Sequence, residues 1–205
     1  MPTGNKGQKP IIGLGGAIGS GKSVVRRAFG VLGGWRTVDC DAEAKALYFD
    51  PSVRDRIINR LGVDPVAVNG TLDKPALRRL LGDISSKQTL ESIVHEALFR
   101  RLRSLRDEMP EGEVLLAESA ILFTSGLSDL CFKTVAVLAP DSLRKGRVLD
   151  RDREKGEPFF EEMDKRQEQE RKLLLEADFR VLNYDPHSVL LQVEKITKQI
   201  DRICP

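Results

Sequence analysis

The sequence predicts an α/β fold in which helices flank a five-stranded parallel sheet, and three observations carry that expectation. Five short apolar or β-branched runs recur, at 10–14, 35–39, 113–117, 133–138 and 179–183. Longer segments of helical periodicity separate them, so the runs read as buried strands joined by helical crossovers. A glycine-rich stretch lies directly between the first run and the first helix, at the sheet edge where open α/β folds bind ligands.

Taken in order, the strand at 10–14 leads into a helix that carries Val25, Phe29 and Leu32 on one face. That helix ends near Gly33 and Gly34, where a left-handed C-cap suits glycine. The second strand, 35–39, ends in Asp39. From Glu43 to Met109 no convincing strand appears. Leu90, Ile93, Val94, Ala97, Leu98, Leu102 and Leu105 keep helical spacing there, and Arg100, Arg101, Arg103 and Arg106 cover the other faces, so this is a helical insertion. The third strand runs into Glu118 and the fourth spans 133–138. The polar helical stretch 141–171 is interrupted at Gly156 to Pro158 and has almost no apolar residue from Asp150 to Gly156. It is expected to be a mobile lid. After the fifth strand, a last helix bears Val189, Val193, Ile196, Ile200 and Ile203 on one stripe.

Composition excludes several classes of function. At 205 residues and 40% hydrophobic, the chain can bury a core without disulfide or metal staples. Its 33 basic and 31 acidic residues leave a formal charge of +2, too weak a field for a nucleic-acid binder. Cys40, Cys131 and Cys204 are widely spaced and odd in number, which points to a reducing, cytoplasmic compartment. The polar N-terminus is not a signal peptide, and nowhere do about 18 apolar residues run together. No membrane or nucleic-acid partner is expected, and a monomer is favoured.

The strongest motif is Gly16 to Ser23, which fits G-x-x-x-x-G-K-[ST] in full between a strand and an amphipathic helix. Glycines at 16, 19 and 21 allow conformations that turn successive backbone N–H groups inward as an anion nest, and the helix N-terminus adds partial positive charge. Lys22 then reaches the β- and γ-phosphates of a nucleotide, and the Ser23 hydroxyl ligates Mg²⁺. The competing G-x-G-x-x-G pattern from Gly13 fails at its last glycine. The second constellation is Asp39 and Asp41, which share a side if the chain stays extended; they then face the sheet's carboxyl edge, beside the metal's water shell and an attacking hydroxyl. Asp41 also fits a helix N-cap. Glu118 is either a third carboxylate at that edge or an exposed strand end. Arg144, Arg147 and Arg151 share a helix face, either clamping triphosphate or forming a solvated face neutralised by Asp150, Asp152 and Glu154. His95, alone on a largely apolar helix, reads first as a structural residue.

Together the segments GLGGAIGSGKS, VDCDAEAKAL, NGTLDKPALRRLL, IVHEAL, ESAILFTSGL, RDRE and EADFRVLN resemble the dephospho-coenzyme A kinase family along nearly the whole chain from Ile11 to Ile200. The resemblance implies a P-loop NTPase fold with a nucleotide-binding core (10–45, 111–140 and 176–205), a helical acceptor domain (46–110) and a lid (141–175), after a flexible N-terminus (1–9). It implies ATP-dependent phosphorylation of the ribose 3′-hydroxyl of dephospho-CoA, with Mg²⁺. By the same resemblance Gly16, Ala17, Ile18, Gly19, Ser20, Gly21, Lys22, Ser23 and Val24 bind ATP, Arg147 and Arg151 join them from the lid, and Asn183 borders the adenine. Lys22, Asp41 and Arg147 are the expected catalytic residues, and Asp39, Asp41, His95 and Glu118 face the acceptor. Val24, Glu96 and Thr124 depart from the family pattern, which has a hydroxyl residue, a proline and an acid there. The lid's Arg-x-x-x-Gln is matched only approximately, around Arg166 and Gln167. Another P-loop small-molecule or nucleoside monophosphate kinase, or a nucleotide-binding regulator without kinase activity, is the competing reading.

Overall fold

The computed structural model describes residues 9–204. The expected flexible N-terminus therefore lies, apart from Lys9, outside the described residues. Lys9 itself donates through Nζ to the carbonyls of Asp107, at 3.2 Å, and of Met109.

Five strands, β1 (Ile11–Gly15), β2 (Arg36–Asp39), β3 (Leu115–Ser119), β4 (Lys133–Leu138) and β5 (Phe179–Leu182), form one sheet. Its order is β2-β3-β1-β4-β5, and every pairing is parallel. The helices are α1 (Lys22–Leu32), α2 (Cys40–Leu47), α3 (Pro51–Leu61), α4 (Lys74–Gly82), α5 (Ile84–Glu108), α6 (Asp141–Arg151), α7 (Gly156–Arg166), α8 (Glu168–Leu173) and α9 (Val189–Ile203). The third strand lies two residues later than its pattern suggested. Gly112 turns at φ +81° just before it, and pairing to β1 carries the ladder on through Glu118 and Ser119.

The chain divides into two compact units, one made of the described residues up to Asp39 with those from Arg106 on, the other of Cys40–Leu105. In the first, α1 and α9 pack together on one face of the sheet. Val25 and Phe29 of α1 meet Val193, Ile196 and Ile200 of α9 over Ile12, Leu14, Leu116, Val135, Val137 and Val181. The stripe on α9 is shorter than expected: Ile203, in the last turn, is 47% exposed. On β1, a Cβ at Gly13 or Gly15 would come within 2.7 Å of Leu122 or Leu174 side-chain carbons. These glycines let two leucines lie directly on the strand backbone, a packing role.

The second unit buries Val53, Ile57, Leu80, Leu90, Ile93, Val94 and Ala97 in a core of its own. Its helix starts are fixed by aspartates, as the side chain of Asp50 accepts from the Ser52 and Val53 amides and that of Asp73 from the Ala76 amide. Asn69 closes a turn by accepting from the Thr71 amide at 3.1 Å, so the segment from Asn69 to Asp73 is accounted for by turn and cap chemistry. The interruption in the polar stretch falls at 152–155 rather than at Gly156 to Pro158. Gly156, at φ +67°, opens α7, and Pro158 sits in its first turn where a proline costs no helical hydrogen bond.

Candidate functional site

Between β1 and α1 the chain makes the phosphate-loop turn. Gly19 and Gly21 adopt φ of +76° and +91°, the left-handed region that favours glycine. Alpha-1 begins at Lys22 with no side chain capping its N-terminus and no acid in its first turn. The helix end is therefore left for an anion to complete. Lys22 Nζ donates to the Gly16 carbonyl at 2.8 Å, a reach that keeps its charge over the loop. Ser23 is exposed at the helix start, as is Val24, whose side chain takes the place of a hydroxyl.

The loop is held from the 141–183 part of the same unit. Ile18 is bound at both polar groups of its backbone: its N–H donates to Gln167 Oε1 at 2.7 Å, and its carbonyl accepts from Arg144 at 3.1 Å. Gln167 Nε2 also donates to the Ala120 carbonyl at 3.3 Å. Asn183 Nδ2 donates to the Ser20 carbonyl at 2.8 Å, and the Asn183 carbonyl accepts from Arg147 at 2.8 Å. Arg147 also reaches the Gly19 and Ser20 carbonyls, each at 3.4 Å.

The three arginines on α6 have different partners. Arg144 is 2% exposed and pairs with Asp141 at 2.8 Å and Asp164 at 2.7 Å. Burial works against its charge, but these two carboxylates outweigh it and raise the guanidinium's pKa. Arg147 lies at the loop, and Arg151 is exposed on Asp152 at 2.7 Å. The divergence follows from helical spacing, since residues at i, i+3 and i+7 share a stripe while the surroundings change along it. Glu170, also buried, accepts from the Phe123 and Thr124 amides at 3.0 and 2.9 Å and from the Thr124 hydroxyl at 2.8 Å. That carboxylate stands at Thr124, where the family pattern carries its own acid.

At the carboxyl edge, the register of β2 on β3 sets Asp39 beside Glu118. Glu118 is buried rather than an exposed strand end, and Ser23 Oγ donates to its Oε1 at 3.4 Å. Arg26, on α1, pairs with Glu118 at 2.8 Å and with Asp39 at 3.7 Å. Asp41 does not alternate with Asp39 along an extended strand, because α2 begins at Cys40 and takes Asp41 into its first turn. Nor is it the cap: it is a helical residue, where its charge favours the helix dipole. Ser23, Asp39 and Glu118 offer hard oxygens, the donor chemistry of Mg²⁺, which keeps most of its waters and takes one or two protein ligands. Among the described residues no group of three or more His, Cys, Asp or Glu is placed to hold a metal ion.

His95 lies mid-way along α5, half-buried and stacked on Phe99 at 6.2 Å. Burial lowers its pKa, partly opposed by Glu91. Glu96, in the proline position, continues the helix and pairs with Arg56 at 2.5 Å. Burial pushes the Cys131 thiol up to about 12, which fits packing rather than reactivity. Arg26, Gln167 and Glu170 were missed as site residues. Only their loose place in a resembling segment hinted at the second, and nothing at the other two.

Comparison with known proteins matches residues 10–187 to the family model CoaE, dephospho-CoA kinase. A dephospho-CoA kinase of Porphyromonas gingivalis is 34% identical over 193 residues, covering 92% of this chain and 93% of that protein. The crystal structure of TT1252 from Thermus thermophilus is similar with a TM-score of 0.74 at 27% identity, over 94% of this chain and 97% of that one. A dephospho-CoA kinase from Campylobacter jejuni shares the fold, with a TM-score of 0.64 at 19% identity, over 95% and 98% of the two chains.

Proposed function

The chain belongs to the dephospho-CoA kinase family, and from that premise we propose how its residues divide the work of phosphoryl transfer. It is a phosphotransferase that uses ATP to phosphorylate dephospho-CoA, the final step of coenzyme A biosynthesis. The observation that carries the division of labour is the intact strand–loop–helix with its uncapped helix start and the Ser23–Glu118 pair beside it.

In this reading, the backbone from Gly16 to Val24 cradles the triphosphate and Lys22 leaves the Gly16 carbonyl for the β- and γ-oxygens. As the transition state loosens, charge spreads over the γ-phosphoryl oxygens and Lys22 and Arg147 stabilise it more than they stabilise bound ATP. Arg151 is recruited from Asp152, and Asn183 fixes the nucleotide end of the loop. Ser23 would hold Mg²⁺, with Glu118 and Asp39 facing its waters; when bound, the ion neutralises charge on the β- and γ-phosphates. Asp41 takes the proton of the acceptor's 3′-hydroxyl as its oxygen bonds to the γ-phosphorus and the bond to ADP breaks. His95 belongs to the helical unit, taken here as the acceptor domain, and 141–175 acts as the lid.

ADP release on adding dephospho-CoA, set against adenosine, AMP and shikimate, tests the assignment. Turnover with dephospho-CoA alone is expected; equal or faster turnover with one of the others would overturn it. Asp41→Asn tests the base. Asn removes the first-turn charge, a loss of about 0.3–1 kcal/mol, and accepts no proton, so activity should fall about 10² to 10⁴-fold with a melting temperature only a few degrees lower at most. An active, stable Asp41→Asn enzyme moves the role to Asp39 or Glu118.

A further inference from the structure

Arg26 stands on α1 three residues beyond Ser23, one turn further into the helix and on the side that faces the carboxyl ends of β2 and β3. Its Nε lies 2.8 Å from Glu118 Oε2 and one of its terminal nitrogens lies 3.7 Å from Asp39 Oδ2. The other oxygen of Glu118 takes the Ser23 hydroxyl. The strand register makes this bridge necessary. Asp39 and Glu118 are paired neighbours in a parallel ladder, and like charges directly beside each other on a sheet repel. Glu118 is also buried, so its charge depends on a partner. A guanidinium, planar and always charged, spans two carboxylates at fixed separation as an ammonium does not.

We propose that Arg26 is a positioning residue: it holds Glu118 and Asp39 at the sheet edge and, by lending them its charge, limits how tightly the nucleotide-bound divalent cation is held at Ser23. The inference rests on the reading of Ser23 as the cation's protein ligand. With Arg26 in place, the two carboxylates present less net negative charge to the cation and stand where its water shell needs them. Without it, the charge is larger and the positions are loose. Metal affinity and turnover should then move in opposite directions, which loss of a structural ion pair would not produce.

The test is Mn²⁺ binding to the enzyme–ADP complex, read by the electron paramagnetic resonance signal of free Mn²⁺, alongside kcat with dephospho-CoA and the melting temperature. Arg26→Gln should bind Mn²⁺ at least about threefold more tightly, as expected when a unit positive charge is removed near a divalent cation in a water-like dielectric. Its kcat should drop about tenfold. Arg26→Lys, which keeps the charge but cannot span both carboxylates, should restore Mn²⁺ affinity to near the normal value and recover only part of kcat. Unchanged or weaker Mn²⁺ binding in Arg26→Gln, with only a lower melting temperature, overturns the proposal. So does an Arg26→Lys enzyme that binds Mn²⁺ as tightly as Arg26→Gln. Should Arg26→Gln not fold, Arg26→Met, which keeps the apolar stem and removes the charge, reads the same effect: tighter Mn²⁺ binding supports the proposal, and unchanged or weaker binding overturns it. Ser23→Ala separates the premise, since it should weaken Mn²⁺ binding whatever Arg26 does. If it does not, the cation's assignment to Ser23 falls and the proposal with it.

Discussion

Gly19→Ala probes how closely the phosphate loop is pressed against α6, and Gly34→Ala supplies its control. Both glycines have left-handed backbones, at φ +76° and +66°, so each alanine incurs the left-handed penalty of about 1–2 kcal/mol. Around Gly34 nothing lies within 4 Å of the added carbon. At Gly19 the new Cβ would lie 2.3 Å from the Arg144 carbonyl oxygen and 2.9 Å from its carbonyl carbon and Cα. These are backbone atoms, so no rotamer change relieves the clash. Alpha-6 or the loop must move, straining the Arg144 bond to the Ile18 carbonyl at 3.1 Å. Overpacking of this kind adds about 1–3 kcal/mol. At roughly 2–4 °C per kcal/mol for a chain of this size, Gly19→Ala should melt about 2–12 °C below Gly34→Ala. Differential scanning calorimetry reads this directly. Calorimetric titration should in addition show weaker ADP binding only for Gly19→Ala, because the displaced backbone is the phosphate cradle itself. Equal melting temperatures with unchanged ADP affinity would show that α6 does not constrain the loop.

Three further outcomes are expected. Lys22→Ala should cut kcat/KM by roughly a thousandfold, about 4 kcal/mol of transition-state stabilisation, and more than about a tenth of the normal rate would refute its role. Arg147→Ala should weaken ADP binding about tenfold by releasing the Asn183 carbonyl and the loop. Arg151→Ala should leave ADP affinity within about twofold yet slow turnover, since its surface pair with Asp152 is weak enough for ATP to displace; equal effects of the two changes on calorimetric ADP affinity would contradict their separate placement. Because burial lowers the His95 pKa from 6.5, the folded protein resists protonating it. Stability from a neutral His95 is then complete above the unfolded pKa and is lost as pH falls through about 6.5 towards the lower folded value. Urea midpoints of the normal protein should fall relative to His95→Gln over that range, with an NMR titration midpoint for His95 below 6.5; a midpoint at or above it would refute the burial argument.

Strands, loop and first helix were legible because their signals are local. A buried parallel strand must be apolar along its length, and a turn that closes around phosphate must have glycine where φ is positive. Residues 16–23 therefore carry their chemistry in their order, and so does the helical core of Cys40–Leu105, whose spacing follows from the 3.6-residue turn. Asp41 was harder: whether the chain stays extended or turns helical at Cys40 is settled by a balance too small for local propensity to decide.

What only the tertiary structure decided is how distant polar groups meet. Gln167 and Arg144 grip Ile18 from 149 and 126 residues away along the chain. Their types are ordinary for a polar helix, and their meaning comes from burial against one peptide unit. Asp39 and Glu118 face each other because β3 enters the sheet between β2 and β1 in one particular register, and Arg26 is required only once they do. Backbone geometry repeats along the chain and leaves a period in the sequence. The pairing of charges and hydrogen bonds across a sheet edge has no period, because it depends on where the fold returns the chain, and so it leaves no pattern to read.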